Sequence, residues 1–233
     1  MAFSKSKEVN VSKYSVAESD LSVEGFSEPA FSLLNADSNV LKAVTPNLSS
    51  FSHIRGANIR IEQDSNPIAN ANATFDLHAL DGYARISIDR AQIPLFSPHS
   101  FDKDVISNLS SSFFDAVNQE LQSCAYGHHL VQFSFHAALE SGSPEEHTRG
   151  FVRAIPEDSD KGIGNSVTYY FGKNDERLHS SVTLDMSSEH DNWVFARVAM
   201  AFDATKISLR DLKDLVVDHS NTLLNLIGLE AEW

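Results

Sequence analysis

One cysteine, Cys124, stands in a chain of 233 residues, so no intrachain disulfide can form and a cysteine-rich zinc site is excluded. A lone thiol suits a reducing compartment. No window approaches the about 18 consecutive apolar residues that a membrane-spanning helix needs. Residues 1–8 also lack the apolar run of a secretory signal, so the expected location is cytoplasmic. Positive charge is scarce: 18 Lys and Arg face 32 Asp and Glu, a net charge of −14. Such a surface repels phosphate backbones and anionic lipid. The densest basic stretch, residues 5–13, is short and interrupted by Glu8. Neither a nucleic acid nor a membrane is therefore expected as a partner.

Catalytic signatures are equally sparse. There is no Gly-x-Ser-x-Gly elbow and no Gly-x-Gly-x-x-Gly loop. The nearest approach, Gly162 and Gly164, precedes a strand rather than a helix and reads as a turn. Cys124, with His128 four residues later, reads as a small buried thiol. No helical His-x-x-x-His or Glu-x-x-His pair is present, and no metal or cofactor is expected.

What the chain does contain is periodicity. Hydrophobic residues make up 42% and charged residues 21%, ordinary values for a globular domain long enough to bury a sizeable core. Ile54, Ile59 and Ile61 mark a first strand, and Phe75, Leu77 and Ala79 alternate on one face of the next. Asp81-Gly82 predicts a two-residue hairpin turn in which the glycine takes positive φ. The returning strand points Ala84, Ile86 and Ile88 inward, and Pro94 and Pro98 end it. Phe101, Val105, Leu109, Phe113, Val117 and Leu121 then repeat every four residues as one helical stripe, with Ser100 as its N-cap. In a later strand Val131, Phe133, Phe135, Ala137 and Leu139 face one way, and Gln132, Ser134 and His136 the other. Strands at 149–155 and 167–171 follow. After a further hairpin comes a closing helix over 209–227, with Leu212, Leu215, Val216, His219, Leu223, Leu226 and Ile227 on one stripe.

Residues 73–122 and 180–233 follow the same plan of strand, turn, strand and long helix. The expected fold is α+β: an antiparallel sheet built from two related strand–strand–helix repeats, with both long helices packed on one face. Residues 51–233 form that single domain. Residues 1–50, rich in Ser, Asn and acidic side chains with Pro29 and Pro46, read as a partly ordered N-terminal arm or as disorder, with at most an edge strand near residues 9–16.

His219 replaces a leucine on an apolar stripe. It is either a titrating group or, as buried histidines usually are, a hydrogen-bonded core residue. His128 and His136 lie about 26 Å apart along a strand, too far to share an ion, and His129 points to the other face. His179 and His190, near the ends of a hairpin, are placed to approach Asp185 or Glu189. The aromatic residues Tyr169, Tyr170, Phe171, Trp193 and Phe195 occupy adjacent strands and belong either to a pocket or to the core.

The run from Tyr83 to Asp89 leading into Phe101-Asp102-Lys103-Asp104, and Phe202-Asp203 followed by Leu212 and His219, resemble a sporadically distributed bacterial family of unknown function. The resemblance spans about half the chain, leaves out the first 50 residues and implies no activity, so it assigns no residue a role. The functional expectation is a non-enzymatic interaction or assembly protein that self-associates through sheet edges. The alternative is an apolar-ligand module with a pocket between sheet and C-terminal helix, lined by Phe133, Phe135, Tyr169, Trp193 and His219. An enzyme using His219 or the region of His128 and His136 stands third.

Overall fold

In the computed structural model, the residues described are 12–27, 44–48, 59–62, 72–77, 80–87, 90–96, 103–121, 126–140, 142–144, 166–171 and 178–232. The strand expected at 149–155, the cap at Ser100, Cys124 and the turn at Gly162 lie outside them. Among the described residues ten strands form one sheet: β1 (Ser12–Ser27), β2 (Ile59–Glu62), β3 (Asn72–Leu77), β4 (Gly82–Ile86), β5 (Arg90–Phe96), β6 (Tyr126–Leu139), β7 (Val167–Phe171), β8 (Leu178–Met186), β9 (Trp193–Asp203) and β10 (Leu229–Glu232). The α+β antiparallel class is therefore observed. The order is β2-β3-β4-β5-β1-β6-β9-β8-β7, antiparallel at every step, with β10 added parallel to β1.

The centre of the sheet is not where the sequence points. Residues 12–27, expected at most as an edge strand in an arm, form the longest strand and sit in the middle. One edge of β1 pairs with β6 from Tyr14 to Ser27, and its other edge is divided between β5 at 20–26 and β10 at 12–15. The register shifts by one residue between Val16 and Glu18. This bulge lets Tyr14 and Val16 share the inner face with Ser19, Leu21 and Val23, although the two sets differ in parity.

Pro94 is a second departure. It does not end a strand; it lies inside β5, opposite Ser22 of β1. Toward β4 the pairing holds at Gly82–Leu95 and at Arg85–Gln92 but lapses between them, where proline has no N–H to give. The turn before β4 also differs. Asp81, not Gly82, takes positive φ (45°), and its carbonyl accepts from Phe96 N at 2.8 Å. Gly82 is the first residue of β4, and a Cβ there would collide with the Pro94 carbonyl oxygen. The glycine is required by this close approach of two backbones.

Alternation assigns the faces. Phe75, Ile86, Ile93, Leu21, Val131, Phe133, Phe135, Val198 and Val182 point to one face and are at most 2% exposed. Each such side chain contributes about 1.5–3 kcal/mol. Helix α1 (Lys103–Leu121) buries Ile106, Leu109, Phe113, Phe114 and Val117, and the Phe114 ring lies edge-on to His129 of β6 at 4.9 Å. The second helical segment, α2 (residues 209–226), buries Leu212, Leu215, Leu223 and Leu224. The two helices touch: Lys213 N donates to Ser107 Oγ at 3.0 Å, and Lys213 Nζ pairs with Asp104 at 2.7 Å.

The stripe on α2 shifts part-way along. The segment opens as a 3-10 turn, becomes α-helical, widens to a π turn at Leu215–His219 and closes as α-helix from Ser220. The wider turn adds a residue to the repeat, so the position buried one turn after Leu215 is Ser220. His219 rotates to the edge of the interface, and Leu226, expected inside, is 63% exposed. Gly228, at φ 81°, then turns the chain into β10, since a left-handed residue after a helix favours glycine.

Two substitutions probe this packing in urea unfolding. Gly82→Ala forces β4 and β5 apart and is expected to cost about 1–3 kcal/mol. Tyr14 is 1% exposed, its ring is stacked on Phe135 at 5.2 Å, and its hydroxyl has no hydrogen-bond partner among the described residues. Tyr14→Phe is expected to preserve or raise stability, by up to about 1 kcal/mol.

Candidate binding surfaces

The sheet separates the residues that the sequence groups as a pocket. Phe133 and Phe135 are core residues of the inner face, 2% and 1% exposed, and Tyr169 is partly buried against the same core. His219 meets that face through its Nε2, 3.0 Å from Ser180 Oγ. Trp193 does not join them. It pairs with Ala138, and the alternation of β9 puts it on the outer face. Side chains of neighbouring parity on one strand cannot line one cavity through a sheet.

His129 behaves as a core residue. It is 4% exposed, packs against Phe114 and Phe202, and its Nδ1 lies 3.3 Å from the Glu24 carbonyl. Burial lowers its pKa below the usual value, opposed in part by that hydrogen bond and assisted by His128. His128 and His136 both lie on the outer face, eight residues apart along β6. Among the described residues no three His, Cys, Asp or Glu side chains converge as a metal site.

The outer face carries the polar constellation. Pairing across β5, β1, β6, β9 and β8 generates transverse rows. One row runs Glu18, His136, Phe195 and Asp185; the next runs Phe96, Asp20, Ser134, Arg197 and Thr183. The turn between β8 and β9 folds over the first row. Ser187 Oγ accepts from Glu189 N and His190 N at 3.1 and 3.0 Å, and lies 2.8 Å from His136 Nδ1. His190 reaches not Asp185 or Glu189 but Glu18 on β1, with Nε2 to Oε1 at 3.0 Å, while its ring lies 4.2 Å from that of Trp193. An exposed pair of this kind adds little stability. Its consequence is to tie the hairpin tip to the central strand.

Beside this, Asp20, Ser22, Phe96, Gln132, Ser134 and Arg197 bound an open depression of about 180 Å3. Arg197 is exposed, lies over the Phe195 ring at 5.3 Å, and has no carboxylate partner among the described residues. Partial burial raises the pKa of Asp20, with His136 lowering it and Glu18 raising it further. Sequence reasoning placed Ser134 outward but missed Asp20 and Arg197, which belong to other strands. Only the register brings the three into one row. The acidic alternation Glu18, Asp20, Glu24 was the available signal.

The sheet edges form a second surface. β2, at one end, covers the outer edge of β3 and carries Arg60 and Glu62. At the other end β7 reads Val-Thr-Tyr-Tyr-Phe, without charge, proline or glycine, and among the described residues only β8 pairs with it. Tyr170 is 84% exposed. No family model matches the chain, and no curated protein sequence matches it either. No helix among the described residues is long and apolar enough to cross a membrane.

The pKa of His129 makes a prediction about stability. Its folded value lies below the unfolded 6.5, so the unfolded state binds more protons between the two. Its contribution is complete above about pH 6.5 and declines as pH falls toward the folded value. In urea unfolding from pH 7.5 to 5, His129→Gln is expected to flatten this slope, while His128→Gln leaves most of it.

Proposed function

We propose that the protein is a non-enzymatic assembly protein that pairs with a second copy of itself through the outer edge of β7, extending the sheet across a two-fold axis. The carrying observation is that β7 itself has no charge, proline or bulge and that, among the described residues, only β8 pairs with it. An antiparallel match centred on Tyr169 sets Val167 against Phe171 of the second copy and Thr168 against Tyr170. Strand edges recruit partners through main-chain hydrogen bonds, and alternate side chains supply the specificity.

The strand order gives this edge its meaning. Outward from β1 lie β5, β4 and β3; outward from β6 lie β9, β8 and β7. In each series a long strand is followed by a three-stranded meander whose last strand returns beside the first and leads into a helix. We read this as an internal duplication, with the helices of both units on the inner face. Contacts of Phe114 with His129 and of His219 with Ser180 support the common face. On that reading the units are 12–121 and 126–226, wider than 73–122 and 180–233, with β2 and β10 as additions. β7 is, on that reading, the counterpart of β3. A reducing, cytoplasmic setting agrees with the single cysteine.

Sedimentation velocity tests the pairing. A monomer–dimer equilibrium is expected, and it should tighten with added salt because two copies of charge −14 repel each other. The double substitution Thr168→Lys/Tyr170→Lys sets like charges opposite each other twice and should weaken the dimer about tenfold or more. A single species of monomer mass at about 100 μM would remove the proposal.

A further inference from the structure

We propose that the outer-face depression over Ser134 binds a small zwitterion, an aliphatic amino acid whose protonated amine meets Asp20 and whose carboxylate meets Arg197. The row Asp20, Ser134, Arg197 spans β1, β6 and β9, so the two charged residues stand two strands apart, about 10 Å between backbones. Among the described residues no ion pair joins the two. Ser134 lies between them as a small hydroxyl floor, with Gln132 and Ser22 in the adjoining row as further hydrogen-bonding groups. The depression, of about 180 Å3, has room for a short amino acid.

The charges select the ligand class. A carboxylate alone gains Arg197 but faces Asp20 and, in the next row, Glu18. An amine alone gains Asp20 but faces Arg197. Only a ligand carrying both signs satisfies both ends. Arg197 is held over the Phe195 ring, which fixes its guanidinium without consuming its hydrogen-bond donors. Phe96, 42% exposed and paired with Asp20, closes the acidic end with an apolar wall suited to methylenes. This site lies on the broad face of the sheet, away from the β7 edge, and does not depend on the assembly proposed above.

Isothermal titration with γ-aminobutyrate, and with butyrate and butylamine as single-charge analogues, tests the assignment. The zwitterion is expected to bind with a Kd no weaker than about 1 mM, and each analogue at least about tenfold more weakly. Asp20→Asn and Arg197→Gln, both on the solvent face, should each abolish detectable binding while leaving the urea unfolding midpoint in place. Ser134→Leu, which fills the floor, should do the same. Binding of butyrate or butylamine as tight as that of γ-aminobutyrate would overturn the proposal. So would binding that survives both charge substitutions, or the absence of heat with γ-aminobutyrate at about 10 mM.

Discussion

The ladder between β1 and β6 is the constraint on which the rest of the molecule rests. Thirteen residue pairs, from Tyr14–Leu139 to Ser27–Tyr126, join the two longest strands at the centre of the sheet. Every other strand is positioned by reference to them: β5 and β10 on the free edge of β1, β9 on the free edge of β6, and the remaining strands outward in turn. Because strand side chains alternate, the register of this one ladder decides which residues of the sheet reach the inner face. A slip of one residue would expose Leu21 and Val23 and bury Glu18, Asp20 and Glu24. The separation of apolar and acidic residues along β1 forbids such a slip.

The same register gives the two faces different properties. The inner face carries aromatic and aliphatic side chains at nearly complete burial, and its polar members are small hydroxyls or partnered histidines. The outer face collects what the inner face rejects: acids from β1, histidine and serine from β6, aromatic rings and Arg197 from β9. No two of these strands are adjacent in sequence. A site built this way depends on tertiary pairing alone, so its geometry is as stable as the central ladder and no more.

Much of the fold is legible in the sequence wherever one period holds over a whole element. The inward faces of β3, β4 and β6, the stripe of α1 and the hairpin of β8 and β9 follow directly from alternation or from spacing of four. The failures come where a single residue breaks the period. The bulge after Val16 changes the parity of the apolar residues in β1, so neither half of the strand looks long enough to be central. Pro94 reads as a terminator because a proline costs a ladder bond, but β5 tolerates it at the one point where pairing with β4 lapses. The π turn of α2 inserts a residue between Leu215 and Ser220 and moves His219 off the stripe that α-helical spacing gives it. The outer-face row of Asp20, Ser134 and Arg197 was not legible, since its members lie more than one hundred and seventy positions apart from end to end and carry no local pattern.

The central claim, that the N-terminal strand holds the sheet together, is tested most directly by hydrogen–deuterium exchange on the intact chain. The amides of β1 between Tyr14 and Phe26 are expected to exchange as slowly as those of β6 and β9, through global unfolding only, with a common dependence on denaturant. Exchange of the β1 amides by a low-energy local opening, while β6 and β9 remain protected, would contradict the account.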